Sequence, residues 1–185
     1  MKDRVVIHNC YKCDISLTRR KIVNGRGPNT SKVMIIGEAP GAEEDKTGIP
    51  FIGKSGVMLR ALLRSLMIEP KNVYITNVIK CRTLNNRIPS EIECMNCLPY
   101  LLAEIVLVNP TVIVLLGNTA LQTFFPDPYS TITKQRGILK VIGNRIFLPT
   151  YHPSYVLRNR NDMGIATEFW NDLTLLQTLM QLIYK

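Results

Sequence analysis

Apolar positions along this chain fall into two alternating patterns. Residues 32–36, KVMII, form a short, almost continuous apolar run that stops at Gly37, as a strand buried on both faces does. From residue 54 to 67 the spacing changes: Leu59, Leu62, Leu63 and Leu66 recur at i, i+3, i+4 and i+7, one face of a helix, and Pro70 closes it. The alternation then repeats, with strands over 73–79 and 111–116 and helices over 90–108 and 118–125. Ser90 and Glu93 have the spacing of a capping box, and Pro99 predicts a kink or a restart inside that helix. Two short apolar runs, 138–141 and 146–148, flank Gly143-Asn144 and predict a hairpin whose second arm leads into TYHPSY. A Leu- and Met-rich segment, 167–183, predicts a final helix. Strands alternating with helices imply a parallel sheet covered on both faces, whose ligands bind beyond the carboxyl ends of the strands. The loops after Gly37, Asn77, Gly117 and Thr150 therefore carry the candidate chemistry.

No repeat, low-complexity tract or linker interrupts the pattern, so residues 1–185 are read as a single domain, large enough to bury a core without staples. The opening MKDRVVIHNC lacks the apolar core of a leader peptide, and no apolar run approaches the roughly eighteen residues of a membrane span. A cytoplasmic, monomeric protein without a membrane partner is expected. A net charge of +9 favours a polyanion, with nucleic acid first, because each Lys or Arg set on a phosphate releases a counterion. Local basic clusters stand at TRRK (18–21) and LRNRN (157–161). In a reducing compartment, five cysteines point to metal ligation or redox chemistry rather than disulfides. Two C-x-x-C pairs, Cys10/Cys13 and Cys94/Cys97, resemble half-sites for zinc, yet Cys81 makes a fifth where a tetrahedral site takes four.

The loop GEAPGAEEDKTGIPFIGKSG, residues 37–56, holds five of the eleven glycines, directly between a strand and a helix. It brings bare backbone N–H groups toward a ligand, but it lacks the glycine offset of a P-loop, and Glu43, Glu44 and Asp45 would repel nucleotide phosphates. Phe51 is either a local packing plug or a platform on which a base stacks. His152 is one of two histidines and lies just past a strand end, where it is either structural or catalytic. Asn77, also at a strand end, either ties down a loop or reads a base edge through its paired donor and acceptor.

Several long stretches in order, CYKCDISLTRRKIV, MIIGEAPGAEEDKTGIPFIGKSG, TNVIKCRTLNNRIPSEIECMNCLPYL, LLGNTAL and YHPSYVL, resemble the family 4, iron–sulfur uracil-DNA glycosylases. The DNA-crosslinking subgroup of that superfamily fits less well, because no basic loop with a histidine is inserted over 77–90. Together with the alternation, the resemblance implies a three-layer α/β/α sandwich with a central, mainly parallel four-stranded sheet. It also implies a ligand set of Cys10, Cys13, Cys81 and Cys97 holding a [4Fe–4S] cluster, and leaves Cys94 over. Four thiolates also suit zinc, the lesser alternative.

By the same resemblance, the activity is hydrolysis of the N-glycosidic bond of uracil in DNA, leaving an abasic site. Gly37, Glu38 and Ala39 would line the base pocket, Phe51 would stack, Asn77 would accept from N3–H and donate to O4, and His152 would donate to O2. The position that bears aspartate in GQDPYH-type relatives is Ala39 here, so Glu44 first and Glu38 second are the candidates for placing water or steadying the sugar cation. Glu43 and Asp45 read as a solvated loop. Val156 or Leu157 would wedge into the duplex, with Arg158 and Arg160 on nearby phosphates. No lysine near His152 points to lyase chemistry. QTLMQLIY, 177–184, approximates a sliding-clamp motif, although its spacing also suits a packed helix. The competing function is a metal-dependent nucleic-acid-binding module without catalysis.

Overall fold

The structure is a computed structural model that describes residues 5–184. Residues 1–4, part of the stretch read for a leader peptide, lie outside the described residues. Five strands form one sheet in the order β2-β1-β3-β5-β4: β1 (Val33–Gly37), β2 (Val73–Asn77), β3 (Val112–Leu116), β4 (Lys140–Ile142) and β5 (Arg145–Thr150). The first three and β5 run parallel, and β4 pairs antiparallel with β5. The expected four strands are therefore five. Gly143, at φ 58°, permits the tight turn that folds β4 back on β5, Lys140 opposite Phe147, and so the hairpin's first arm extends the sheet.

Seven α-helices occur among the described residues: α1 (Ala42–Thr47), α2 (Lys54–Ser65), α3 (Glu91–Val108), α4 (Asn118–Phe124), α5 (Ile132–Gln135), α6 (Pro153–Arg158) and α7 (Met163–Ile183). Alternate residues of the strands feed two apolar clusters. Val33, Ile35, Val112, Val114, Leu116 and Leu148 pack with α2, α6 and α7 on one face. Met34, Ile36, Ile113, Leu115 and Phe147 pack with α3 and α4 on the other. β1 and β3 are buried at every position, which is why their sequences read as unbroken apolar runs.

The capping box forms as expected: Glu93 N–H donates to Ser90 Oγ (3.2 Å) and Ser90 N–H to Glu93 Oε2 (2.7 Å). Against expectation, α3 runs through Pro99 without a break. Pro99 and Met95, whose carbonyl loses its proline-side partner, are both exposed, so the helix's unbonded position lies at its solvent face. The final helix begins at Met163 rather than 167, capped by Asp162 Oδ1, which accepts from Gly164 and Ile165 N–H. At the outer edge of β2, Arg26 and Ile75 exchange two backbone hydrogen bonds of 2.8 Å as an isolated antiparallel bridge.

Candidate active site

The parallel register sets Gly37 beside Asn77 at the carboxyl ends of β1 and β2. The turn after β3 at Gly117 and the turn after β5 at Tyr151-His152 open on the same side. Between them lies a cavity of about 480 Å³, lined among others by Glu38, Ala39, Glu44, Phe51, Asn77, Gly117, Tyr151, His152, Ser154 and Arg158. The four loops singled out by topology thus meet at one cavity.

Its floor is built by close backbone approach. Phe51 adopts φ 54°, a left-handed conformation unusual for an aromatic residue, and its carbonyl accepts from Arg60 Nη1. A Cβ on Gly56 would stand 1.7 Å from that carbonyl oxygen, so only glycine lets α2 begin here. Gly56→Ala is expected to destabilise the fold by about 1–3 kcal/mol, read as a lower melting temperature. Unchanged melting would refute this contact. The Phe51 ring is both plug and platform: it belongs to the buried core cluster, and it borders the cavity with its centroid 6.0 Å from that of His152. A Cβ on Gly37 would lie 2.5 Å from both Asn77 Oδ1 and Phe51 Cζ, so glycine there keeps the cavity open.

Asn77 is 2% exposed, and its Oδ1 has no hydrogen-bond partner. An unpaired buried carbonyl costs about 1–3 kcal/mol, and an atom so placed at a cavity is ready for a ligand donor. His152 caps α6: its Nδ1 accepts from Ser154 N–H (3.1 Å) and lies 2.8 Å from Ser154 Oγ. With Nδ1 used as acceptor, the neutral ring carries its proton on Nε2. Burial, and secondarily the charge of Arg158, push its pKa down to about 4, so the imidazole is neutral at neutral pH. The strand end beneath it is braced: Thr150 Oγ1 donates to Asp172 Oδ2 (2.6 Å), Arg136 Nε donates to the same carboxylate (2.9 Å), and Tyr151 O–H donates to Glu168 Oε2 (2.7 Å).

The carboxylates divide by partner. Glu44 is 6% exposed and accepts at Oε1 from Gly53 N–H (2.8 Å), pinning the glycine loop while still bordering the cavity. Glu38 borders the cavity too and accepts from Thr119 Oγ1. Glu43 is exposed and pairs with Lys46. Asp45 departs from the solvated-loop expectation: it is buried in α1 and accepts from Arg20 N–H (2.8 Å). Sequence reasoning missed Ser55, Thr83 and Asn86, which also border the cavity. Asn86 sits at φ 55°, its Oδ1 accepting from Arg82 Nε (2.8 Å); the Asn85-Asn86 pair, tolerant of left-handed backbone, was the available signal.

Of the two wedge candidates, Val156 is 3% exposed inside the core cluster that α6 shares with α2 and α7 and is unavailable, whereas Leu157 is 39% exposed. Arg158 and Arg160 are exposed, Arg158 Nη1 lying 3.3 Å from Ser154 Oγ. In the clamp-like stretch, Gln177 Nε2 donates to Leu66 C=O (2.8 Å) and Met180 is buried, whereas Tyr184 is exposed, its O–H reaching Asn72 C=O (3.3 Å). No helix among the described residues is long and apolar enough to cross a membrane.

On the far side of β2, Cys10, Cys13, Cys81 and Cys97 line one small cavity with Ile7, Ile15, Ile22 and Ile79; Cys94 is not among its walls. Lys80 N–H donates to Cys97 Sγ (3.3 Å), and Arg19 Nη1 lies 3.7 Å from Cys81 Sγ. Burial pushes the Cys81 thiol up to about 11 and raises Cys97 as well. Among the described residues no three His, Cys, Asp or Glu side chains are grouped to hold a single metal ion. Four soft sulfurs around a shared apolar space, with N–H donors aimed at two of them, fit a thiolate-held iron–sulfur cluster.

The sequence model of the uracil DNA glycosylase superfamily matches residues 24–174. The chain is 45% identical to a type-4 uracil-DNA glycosylase of Thermotoga maritima over 84% of its own length and 82% of the relative's. It is 39% identical to one of Sulfurisphaera tokodaii (91% and 79%) and 37% identical to one of Archaeoglobus fulgidus (82% and 79%). A fold that brings Glu38, Ala39, Phe51, Asn77 and His152 to one cavity, with Gly37 behind its wall rather than in it, is matched across most of its length by these relatives, and the chain belongs to the uracil-DNA glycosylase superfamily, among its type-4 members.

Proposed function

We propose that this protein excises uracil from DNA by hydrolysing the N-glycosidic bond, a step of DNA repair that leaves an abasic site. The observation that carries this reading is Asn77 Oδ1, buried and unpartnered at the cavity between Phe51 and His152. It supplies the acceptor that uracil N3–H requires, and the amide's N–H₂ supplies a donor for O4. Cytosine presents the reverse pattern and is refused. The base must leave the duplex to reach the cavity, and stacking on Phe51 offsets part of that cost. Exposed Leu157 would fill the gap, and exposed Arg158 and Arg160 would meet phosphates.

Departure of the base puts negative charge on uracil O2, and neutral His152 donates there through Nε2–H. Because Nδ1 is already anchored on Ser154, the donor is held in place before charge develops. Glu44 and Glu38 border the cavity, where a carboxylate would steady a cationic sugar or orient water; the tie to Gly53 leaves Glu44 Oε2 for that task. Cys10, Cys13, Cys81 and Cys97 would hold a [4Fe–4S] cluster, whose contribution is to cross-link the N-terminal segment to α3.

Incubating the protein with single- and double-stranded oligonucleotides containing uracil, followed by alkali, tests the reading. Strand cleavage only after alkali is expected, and no cleavage from protein with its cysteine centre loaded would overturn it in favour of a binding module. A second experiment separates the cysteines. Cys94→Ala should keep iron and absorbance near 400 nm, while Cys97→Ala should lose both; equal loss, or equal retention, would refute the ligand set.

A further inference from the structure

Lys80 and Glu104 are 1% and 0% exposed and form an ion pair of 2.7 Å between the turn after β2 and α3. All three ammonium protons of Lys80 are committed: to Glu104 Oε2 (2.7 Å), to Thr76 Oγ1 (2.6 Å) and to the backbone carbonyl of Asn77 (2.8 Å). Glu104 is equally committed, accepting from Thr76 Oγ1 (2.7 Å) at Oε2 and from Gly25 N–H (2.9 Å) at Oε1. Burying such a pair is expensive, and apolar residues of similar volume often serve stability as well or better. Stability therefore gives little reason for it, whereas its geometry does.

β2 ends at Asn77, after which Val78 and Ile79 N–H still donate to the carbonyls of Gly37 and Glu38, while the Asn77 carbonyl takes its partner from the turn that follows. Lys80 supplies that partner. The same residue's N–H donates to Cys97 Sγ, and Cys81 follows it directly, so one lysine spans the space between the cysteine centre and the amide at the cavity. Gly25 N–H on Glu104 brings in the chain that follows the first cysteine pair.

We propose that Lys80, held by Glu104, is a positioning residue that fixes the angle at which Asn77 presents its amide and ties it mechanically to the cysteine centre. The proposal rests on the base-reading role of Asn77. Misplacing a reading group by an ångström commonly costs up to about a hundredfold in rate, with discrimination lost beside it. The test uses Lys80→Met and the paired variant Lys80→Met/Glu104→Leu, the second leaving no buried charge uncompensated. Each is compared with the wild type in melting temperature, iron content, kcat and KM on a uracil oligonucleotide, and the ratio of uracil to cytosine release. For the paired variant we expect wild-type iron content and a folded protein, kcat/KM about ten- to hundredfold lower, and a reduced uracil preference. A folded paired variant with unchanged kcat/KM and preference overturns the assignment. So does loss of activity only in step with loss of fold and iron, which would make the pair purely structural. Wild-type protein that releases no uracil sinks the reading of the site, and this inference with it; active wild type beside an unaltered variant sinks the inference alone.

Discussion

His152→Ala lowers kcat for uracil release by about a hundredfold or more, the roughly 3 kcal/mol that a preorganised donor to a developing oxyanion supplies. Substrate binding should change far less, because the donor strengthens its bond only as charge reaches O2. Single-turnover rates on an oligonucleotide check this, and a variant within about threefold of wild type would remove His152 from the mechanism. The pH dependence carries independent information. With the folded pKa held near 4 and the ordinary histidine value at 6.5, the unfolded chain binds more protons than the folded one between those limits. Stability contributed by the neutral ring is thus fully present above about pH 6.5 and is lost as pH falls toward 4. Activity should be flat across neutral pH and fall only near that lower limit, where protonation of Nδ1 breaks its bond from Ser154 N–H. His152→Ala should melt with a weaker dependence on pH in this interval.

Asn77→Leu is expected to reduce kcat/KM for uracil by roughly thirtyfold to ten-thousandfold, since N3–H and O4 of a desolvated base would each lose a partner worth about 1–3 kcal/mol. The variant should nevertheless melt no lower than wild type, because leucine removes the unpaired Oδ1 from the interior. That opposition between activity and stability marks a group kept for its ligand rather than for the fold. A parallel fall in melting temperature, or activity kept within about threefold, would show that Asn77 is scaffold.

Much of this architecture is legible in the sequence because burial imposes it. β1 and β3, covered on both faces, had to be apolar throughout, and α2 had to repeat leucine at helical spacing. The loop–strand junctions carrying Asn77 and His152 follow from those elements by topology alone. What stayed hidden depends on backbone direction and contacts distant in sequence. The exposure of Leu157 rather than Val156 depends on which way the single turn and a half of α6 rolls against α2. Asp45 appeared solvated because its partners, Arg20 and Lys21, lie a whole strand earlier. Pro99 would break a buried helix but not one whose proline side is wet. The choice of Cys81 over Cys94 rests on family resemblance, against the C-x-x-C spacing; Cys81 lines the cysteine cavity and Cys94 does not.

The two margins of the sheet bear on how the protein behaves at high concentration. An open strand edge is a template on which another chain can pair, and a sheet that ends in one invites association without limit. Here the bridge from Arg26 occupies backbone groups of β2 at one margin, and at the other the sheet ends in the three-residue β4, which opens with Lys140. The β2 margin is thus partly closed by the chain itself, whereas the β4 margin leaves Val141 and Ile142 exposed beside Lys140, and an incoming strand would find only that three-residue edge to pair with.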